Sequence, residues 1–189
     1  VSFPTHLTEE LAEFIGYVIG DVHLDHRYIE ITNEDPEIIE RIKHLAHKLF
    51  HLKVNCTKDD RTKATYQIRL NSVTLVNIFN RVFSIPIGKK GKRLRIPALL
   101  LQSDDTVIRS FLRAYFDCDA SASSDTRAIE LSSESSFIIH DIASVLRRFG
   151  IVSTISKKMV CQEHYWRLYI QARYAELYAS LIGFTVKHK

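Results

Sequence analysis

A twelve-residue block occurs twice in this chain: Tyr28-Ile-Glu-Ile-Thr-Asn-Glu-Asp-Pro-Glu-Ile-Ile39 lies over Ala128-Ile-Glu-Leu-Ser-Ser-Glu-Ser-Ser-Phe-Ile-Ile139 at an offset of 100, without a gap. Ile29, Glu30, Glu34, Ile38 and Ile39 recur as Ile129, Glu130, Glu134, Ile138 and Ile139, and the same offset carries Ile42 onto Ile142. Further on, Tyr66-Gln-Ile-Arg-Leu-Asn71 falls on Trp166-Arg-Leu-Tyr-Ile-Gln171 with the apolar-polar alternation in phase. Chance does not readily hold one register across separated blocks, so the fold must be built from two copies of one unit.

Each copy reads alike. A helical stretch (8–20; 104–118) leads to a short alternating strand (27–33; 126–133) and an amphipathic helix (36–50; 135–149). Two more alternating strands (52–58 and 64–71; 152–158 and 164–171) and a closing helix (73–82; 173–182) complete the copy. Thr8, followed by Glu9 and Glu10, is the expected N-cap of the first helix, and Ser103, followed by Asp104 and Asp105, that of its counterpart. Period-2 alternation turns Ile29, Ile31, Ile68, Leu70, Ile129, Leu131, Leu168 and Ile170 toward the helices. The aromatics of the helix at 135–149 and of Tyr165-Trp166 read as core.

The opposite sheet faces carry Tyr28, Glu30, Thr32, Lys53, Asn55, Thr57, Gln67, Arg69 and Asn71 in the first copy. The second copy carries Glu130, Ser132, Thr154, Ser156, Lys158, Arg167, Tyr169 and Gln171 there. A polar face is ordinary wherever water wets a sheet. These are also the side-chain types that reach base edges and phosphates, and two copies double the length that can lie along a duplex.

Composition narrows the class. The chain has 189 residues, 46% hydrophobic and 25% charged, with six Gly and four Pro. That is too apolar for a disordered tail and too poor in Gly and Pro for a low-complexity segment. No apolar run approaches the roughly 18 residues of a membrane span, and the opening Val-Ser-Phe-Pro-Thr-His lacks the order of a signal peptide. The expectation is a soluble, cytoplasmic protein. Cys56, Cys118 and Cys161, odd in number and without a C-x-x-C pair, fit neither a disulfide framework nor a Cys-rich zinc site. The net charge of +4 permits nucleic-acid binding without arguing for it. Lys89-Lys90-Gly91-Lys92-Arg93-Leu94-Arg95, just before Ile96-Pro97, concentrates basic residues at mid-chain and reads as a solvated linker over 89–103, between copies at 1–88 and 104–189. Gly88 and Gly91 stand too close together for a phosphate-binding G-x-x-x-x-G-K-[ST] loop.

The opening helices carry the most specific pattern. Ala12, Gly16 and Gly20 recur every four residues, as do Ser110, Ala114 and Cys118. Such a smooth stripe lets two helix backbones approach closely. Gly in a helix interior costs about 1 kcal/mol against Ala, so a pair on one face implies a contact that needs them. Directly after each stripe stands an acid, Asp21 or Asp119, at the helix end where the dipole disfavours negative charge. A divalent cation removes both that penalty and the mutual repulsion, and carboxylates flanking metal ions are suited to phosphodiester hydrolysis.

Phe14-Ile-Gly-Tyr-Val-Ile-Gly-Asp-Val22 and Leu112-Arg-Ala-Tyr-Phe-Asp-Cys-Asp-Ala120 resemble the two motifs of a LAGLIDADG (dodecapeptide) homing endonuclease in its single-chain form. The likeness covers nearly the whole chain and is greatest to archaeal intron-encoded and intein-borne members. It implies an α+β fold of two pseudo-symmetric αββαββα repeats, packed through paired motif helices, with two saddle-shaped antiparallel sheets gripping double-stranded DNA. It further implies a monomer that cleaves both strands across the minor groove of a long asymmetric site, leaving short 3′ overhangs. Mg²⁺ is the implied cofactor, with Mn²⁺ substituting and Ca²⁺ supporting binding alone. The metal-binding role passes to Asp21 and Asp119, with the carbonyls of Gly20 and Cys118 as further ligands; Asp117 matches a variable acid of the motif. Candidate auxiliary residues are Asn33, Gln67, Arg93, Arg95, Ser133, Arg167 and Lys187, with Lys189 as the alternative to Lys187.

The chain departs from the motif at Val22 and Ala120, where the family has Gly. That keeps a second reading open, a relative acting as RNA maturase or DNA-binding regulator, although retention of both acids favours the enzyme. Val1 and His188-Lys189 lack the flanks of a complete intein, so the expectation is a free-standing or excised endonuclease. Asp21, His23, Asp25 and His26 match no zinc signature, and His44, His47 and His51 share a helix with Lys43 and Lys48 as a solvated basic face. Cys118, inside the small-residue stripe, reads as packing rather than as a nucleophile.

Overall fold

The computed structural model describes residues 2–59, 65–89, 91–123, 127–160 and 163–186. The first copy runs α1 (Glu9–Asp21), β1 (Val22–Leu24), β2 (Tyr28–Asn33), α2 (Pro36–Phe50), β3 (Asn55–Asp59), β4 (Thr65–Asn71) and α3 (Val73–Arg81). After a 3-10 turn at Gly91–Arg93 and the one-turn α4 (Ala98–Leu101), the second runs α5 (Asp105–Asp119), β5 (Ala120–Ser123), β6 (Ala128–Ser133), α6 (Ser136–Arg148), β7 (Thr154–Val160), β8 (Glu163–Gln171) and α7 (Arg173–Leu181). Each copy is the αββαββα unit implied by the motif resemblance. β1 and β5, three and four residues long, are too short for alternation to reveal.

Helix ends fall where the sequence supplies caps. The Thr8 hydroxyl accepts from the Leu11 N–H at 3.2 Å, and Asp35 accepts from Glu37 N–H at 2.8 Å with Pro36 opening α2. Ser72 and Ser135 cap α3 and α6 in the same way. The expected cap at Ser103 is not formed. Asp104 occupies the N-cap of α5 without a side-chain bond, and Ser103 donates its hydroxyl to the Leu100 carbonyl at 2.7 Å, because it closes α4, a helix the sequence pattern does not mark.

The sheets are antiparallel, in the orders β1-β2-β4-β3 and β5-β6-β8-β7. Ile29, Ile31, Ile68 and Leu70 on one, and Leu131, Leu168 and Ile170 on the other, are fully buried beneath the helices, with Ile129 nearly so. Each contributes roughly 1.5–3 kcal/mol of hydrophobic stabilisation. Phe137 and Trp166 do not join this core. Phe137 is 49% exposed beneath the Arg95 guanidinium, and half-buried Trp166 stacks edge-on against His140 and carries the Lys157 ammonium over its ring. Their rings cover cations instead of filling space between layers.

The connection between copies is pinned to the second one. Leu94 and Ile96 are buried, the Ser135 hydroxyl donates to the Leu94 carbonyl at 2.7 Å, and the buried Asp141 accepts from Arg95 Nη2 at 2.9 Å, Arg95 Nε at 3.2 Å and the Ile96 N–H at 3.2 Å. Three donors on one carboxylate satisfy an otherwise costly buried charge. Among the described residues no helix is long and apolar enough to cross a membrane.

Candidate active site

α1 and α5 pack on each other more extensively than any other pair of helices and run parallel. A Cβ placed on Gly16 would stand 2.6 Å from the Phe111 carbonyl oxygen and 2.7 Å from the Ala114 Cβ; one on Gly20 would stand 2.5 Å from the Cys118 Cβ. The small-residue stripe is therefore a steric necessity of the seam. Gly16 faces Ala114 and Gly20 faces Cys118, an offset of 98, whereas β2 and β6 correspond at 100. The two extra residues lie in the β5–β6 hairpin, one lengthening the strand and one the turn.

Because the helices are parallel, both end together, on Asp21 and Asp119. Neither has a basic residue in its last turn to offset those acids. A cleft opens beside each acid. One, of about 380 Å³, is lined by Asp21, Thr32, Asn33 and Glu34 together with Asp117 and Cys118 from the other helix. The second, of about 590 Å³, is lined by Asp119, Ser132, Ser133 and Glu134 together with Ile19 and Gly20, the counterparts of Asp117 and Cys118. Each cleft thus combines one copy's acid with the end of the other copy's stripe.

The clefts differ in how the acid is held. Asn33 donates its amide to Asp21 Oδ2 and accepts the Asp35 N–H through Oδ1 at 2.7 Å, so a turn leading into α2 fixes both ends of the amide. Ser133 likewise accepts from Ser135 N–H at 3.2 Å, but a hydroxyl has no second arm. Asp21 is half-buried and Asp119 exposed. Burial, and then the Asp119 carboxylate, push the Tyr115 hydroxyl well above its ordinary pKa; burial and then Asp21 do the same for the Cys118 thiol. Both groups stay protonated, so neither adds charge to the seam. Asp117 is buried, with both carboxylate oxygens accepting from the Thr185 N–H at 3.0 and 3.2 Å.

The polar faces form as the alternation predicts. Glu30, Asn55, Thr57, Gln67, Arg69 and Asn71 line a shallow hollow of about 290 Å³, with Tyr28 and Thr32 on the same face. Lys53 is exposed just before β3. On the second sheet Thr154 pairs with Tyr169, Ser156 with Arg167, Glu130 with Tyr169 and Ser132 with Arg167, while Gln171 and Lys158 are exposed along the same strands. Of the candidate auxiliary residues, Asn33 and Ser133 lie in the clefts, and Gln67 and Arg167 stand opposite Thr32 and Ser132. Arg95 is turned away onto Asp141, Arg93 is exposed in the 3-10 turn, and Lys187 lies outside the described residues. Sequence reasoning missed Lys89 and Tyr115, which line the Asp119 cleft. Lys89 was hidden in a basic run, and Tyr115 in a motif read for its small residues.

The sequence profile of the LAGLIDADG-like domain matches residues 8–82 and again 106–183, the two copies just described. The chain belongs to this family. LAGLIDADG-like relatives include segments of larger proteins: the chain is 31% identical to an A-type ATP synthase subunit of Pyrococcus abyssi, over 90% of its own length and 16% of that protein. It is 37% identical to the replication factor C small subunit of Methanocaldococcus jannaschii, over 80% of itself and 8% of that protein. It spans at most a fifth of these relatives' length. Among solved structures, I-DmoI in complex with DNA and Mn superposes with a TM-score of 0.69 at 13% identity, covering 96% of this chain and 99% of that one. Full-length DUF199/WhiA from Thermatoga maritima superposes with a TM-score of 0.68 at 17% identity, covering 99% and 59%. The LAGLIDADG fold, with its paired helices and two four-stranded sheets, is therefore that of this chain.

Among the described residues no group of three or more His, Cys, Asp or Glu side chains is arranged to hold a metal ion. Zinc, which takes most of its ligands from side chains, does not fit. One carboxylate per cleft, beside main-chain carbonyls at a helix end, suits a hard ion such as Mg²⁺ that keeps waters and takes phosphate oxygens as ligands.

Proposed function

We propose that this chain is a site-specific, metal-dependent endonuclease that hydrolyses both strands of a long DNA site. The supporting observation is the arrangement of the two acids: Asp21 and Asp119 end parallel helices at one point, each in its own cleft, between two polar sheet faces. One acid for each strand is what double-strand cleavage about a pseudo-two-fold axis requires. Structures of similar fold support the DNA and the ion, since I-DmoI was solved with DNA and with Mn, Ca or Mg. Matching segments inside a replication factor, an aminotransferase and an ATP synthase support a unit that lodges in unrelated hosts.

Asp21 and Asp119 would hold the ions, with the Gly20 and Cys118 carbonyls as further ligands. Bound divalent ions supply a water of lowered pKa and neutralise charge on the scissile phosphate and leaving oxygen. Asn33 fixes the rotamer of Asp21, so the carboxylate needs no reorganisation when phosphate arrives. Lys89 brings positive charge to the Asp119 cleft, where a phosphate must enter between Glu134 and Glu163. The polar sheet faces carry Tyr28 to Asn71 and Glu130 to Gln171 to the bases, the chain acting as a monomer because both half-sites lie on it. Mg²⁺ is the expected ion; Mn²⁺ should substitute, and Ca²⁺ should support binding alone.

Double-strand cleavage, in Mg²⁺ but not EDTA, of a plasmid carrying a site selected from randomised DNA tests the proposal. Selection of a site without cleavage in Mg²⁺ favours the second reading, a DNA-binding regulator or maturase, to which Val22 and Ala120 in place of the motif glycines lend support.

A further inference from the structure

Arg69 is held by three side chains on the first polar face. It stands opposite Glu30 across β4 and β2, its Nε and Nη2 both donate to Glu30 Oε2, Nε at 2.9 Å, and its Cζ lies 4.3 Å from the centroid of the Tyr28 ring. A guanidinium has five N–H donors. Glu30 takes the side-on edge; among the described residues no acceptor meets the end-on edge, formed by Nη1 and the second Nη2 hydrogen. That edge opens on the hollow lined by Asn55, Thr57, Gln67 and Asn71, and the Arg69 side chain is 47% exposed.

Exposed ion pairs add little to stability, so folding alone does not explain this much order around one surface cation. The arrangement fixes a fork. The Tyr28 ring sets the plane of the guanidinium, and Glu30 sets its rotation within that plane. Two parallel N–H groups so fixed match guanine O6 and N7 in the major groove. A phosphate makes no such demand, and a carboxylate at its side would repel it. Glu30 Oε1, which the arginine leaves open, can accept from cytosine N4 on the same groove edge.

We propose, resting on the DNA-binding reading above, that Glu30, Tyr28 and Arg69 form a preorganised reader of a G·C pair, with Arg69 setting the guanine preference. The second sheet carries a shifted version. Arg167 Nε lies 2.8 Å from Glu130 Oε1, yet Arg167 stands opposite Ser132, two strand residues nearer its acid than Arg69 is to Asp21. Two residues span about 7 Å, the height of about two base pairs. The two guanine positions therefore lie at unequal distances from the centre of the site, and the target is asymmetric.

The test is selection of bound duplexes from a randomised library in Ca²⁺, followed by sequencing, for the wild-type chain, Arg69→Lys and Glu30→Gln, with thermal melting as a folding control. The wild type should enrich a guanine on the side of the first copy. Arg69→Lys should lower the preference at that base pair about ten- to a hundredfold and leave the others unchanged, and Glu30→Gln should lower the same preference by less. An Arg69→Lys chain that weakens binding to all sequences alike, with a salt slope smaller by about one, would mark a phosphate contact and overturn the proposal. Unchanged preferences in Arg69→Lys would also overturn it. If the folded wild-type chain enriches no sequence, the DNA-binding reading itself fails and this inference with it.

Discussion

Gly20 meets Cys118 with no room for a methyl group: a Cβ there would stand 2.5 Å from the Cys118 Cβ and 2.9 Å from its Sγ. Ala is the better helix former by about 1 kcal/mol, but overpacking a tight seam costs about 1–3 kcal/mol, so Gly20→Ala should be net destabilising. Cys118→Gly added to Gly20→Ala should recover part of the loss, giving a favourable coupling energy in a double-mutant cycle of denaturant melts. Gly16→Ala, whose Cβ meets the Phe111 backbone, should be the harder to rescue.

Asn33 links the turn before α2 to Asp21. Removing such an outer partner of a metal-binding carboxylate costs about 10–100-fold in activity. Asn33→Ala should therefore slow cleavage of one strand by that factor, and nicked circles should accumulate on an agarose gel before linear DNA appears. Equal slowing of both strands would mean that Asn33 does not act through Asp21.

Asp117 belongs to the scaffold. Asp117→Ala leaves the Thr185 N–H without its acceptor, a loss of about 1–3 kcal/mol, equivalent to roughly 3–10 °C in Tm for a domain of this size. Asp117→Asn, which keeps one acceptor oxygen, should lose less. Both should cleave within a few-fold of the wild type well below their Tm. Abolished cleavage by Asp117→Asn at unchanged Tm would instead assign it to the chemistry.

Burial and the neighbouring Asp21 push the Cys118 thiol pKa up, so the reactive thiolate is scarce at pH 8 and grows only at higher pH. In a Cys161→Ser background, iodoacetamide should modify Cys118 at least about tenfold more slowly than Cys56 at pH 8. Peptide mass spectrometry over a pH series reads both rates. Faster labelling of Cys118 than of Cys56 would contradict the closed seam.

Much of the fold was legible in the sequence because the two copies check each other. Ile29/Ile31 and Ile129/Leu131 alternate in the same phase, so strand faces followed from pattern alone, and the stripe Ala12, Gly16, Gly20 acquired meaning from Ser110, Ala114, Cys118. What escaped notice lacked either period or counterpart. β1 and β5 are too short to alternate, and α4 is a single turn that took Ser103 for its own end. Arg95 looked like a site cation because of its neighbours in sequence, yet Asp141, far along the chain, claims it. Asn33 differs from Ser133 only in reach, and reach becomes visible only once Asp21 is beside it.

Asp21 and Asp119 are each assigned to one strand, and that division of labour is open to a direct measurement. Supercoiled plasmid bearing the selected site should be incubated in Mg²⁺ with the wild type, Asp21→Asn and Asp119→Asn, each first shown to bind that site in Ca²⁺. The wild type should linearise the plasmid, and neither single variant should cut both strands although both still bind. Linear product from either variant at the wild-type rate would contradict the assignment.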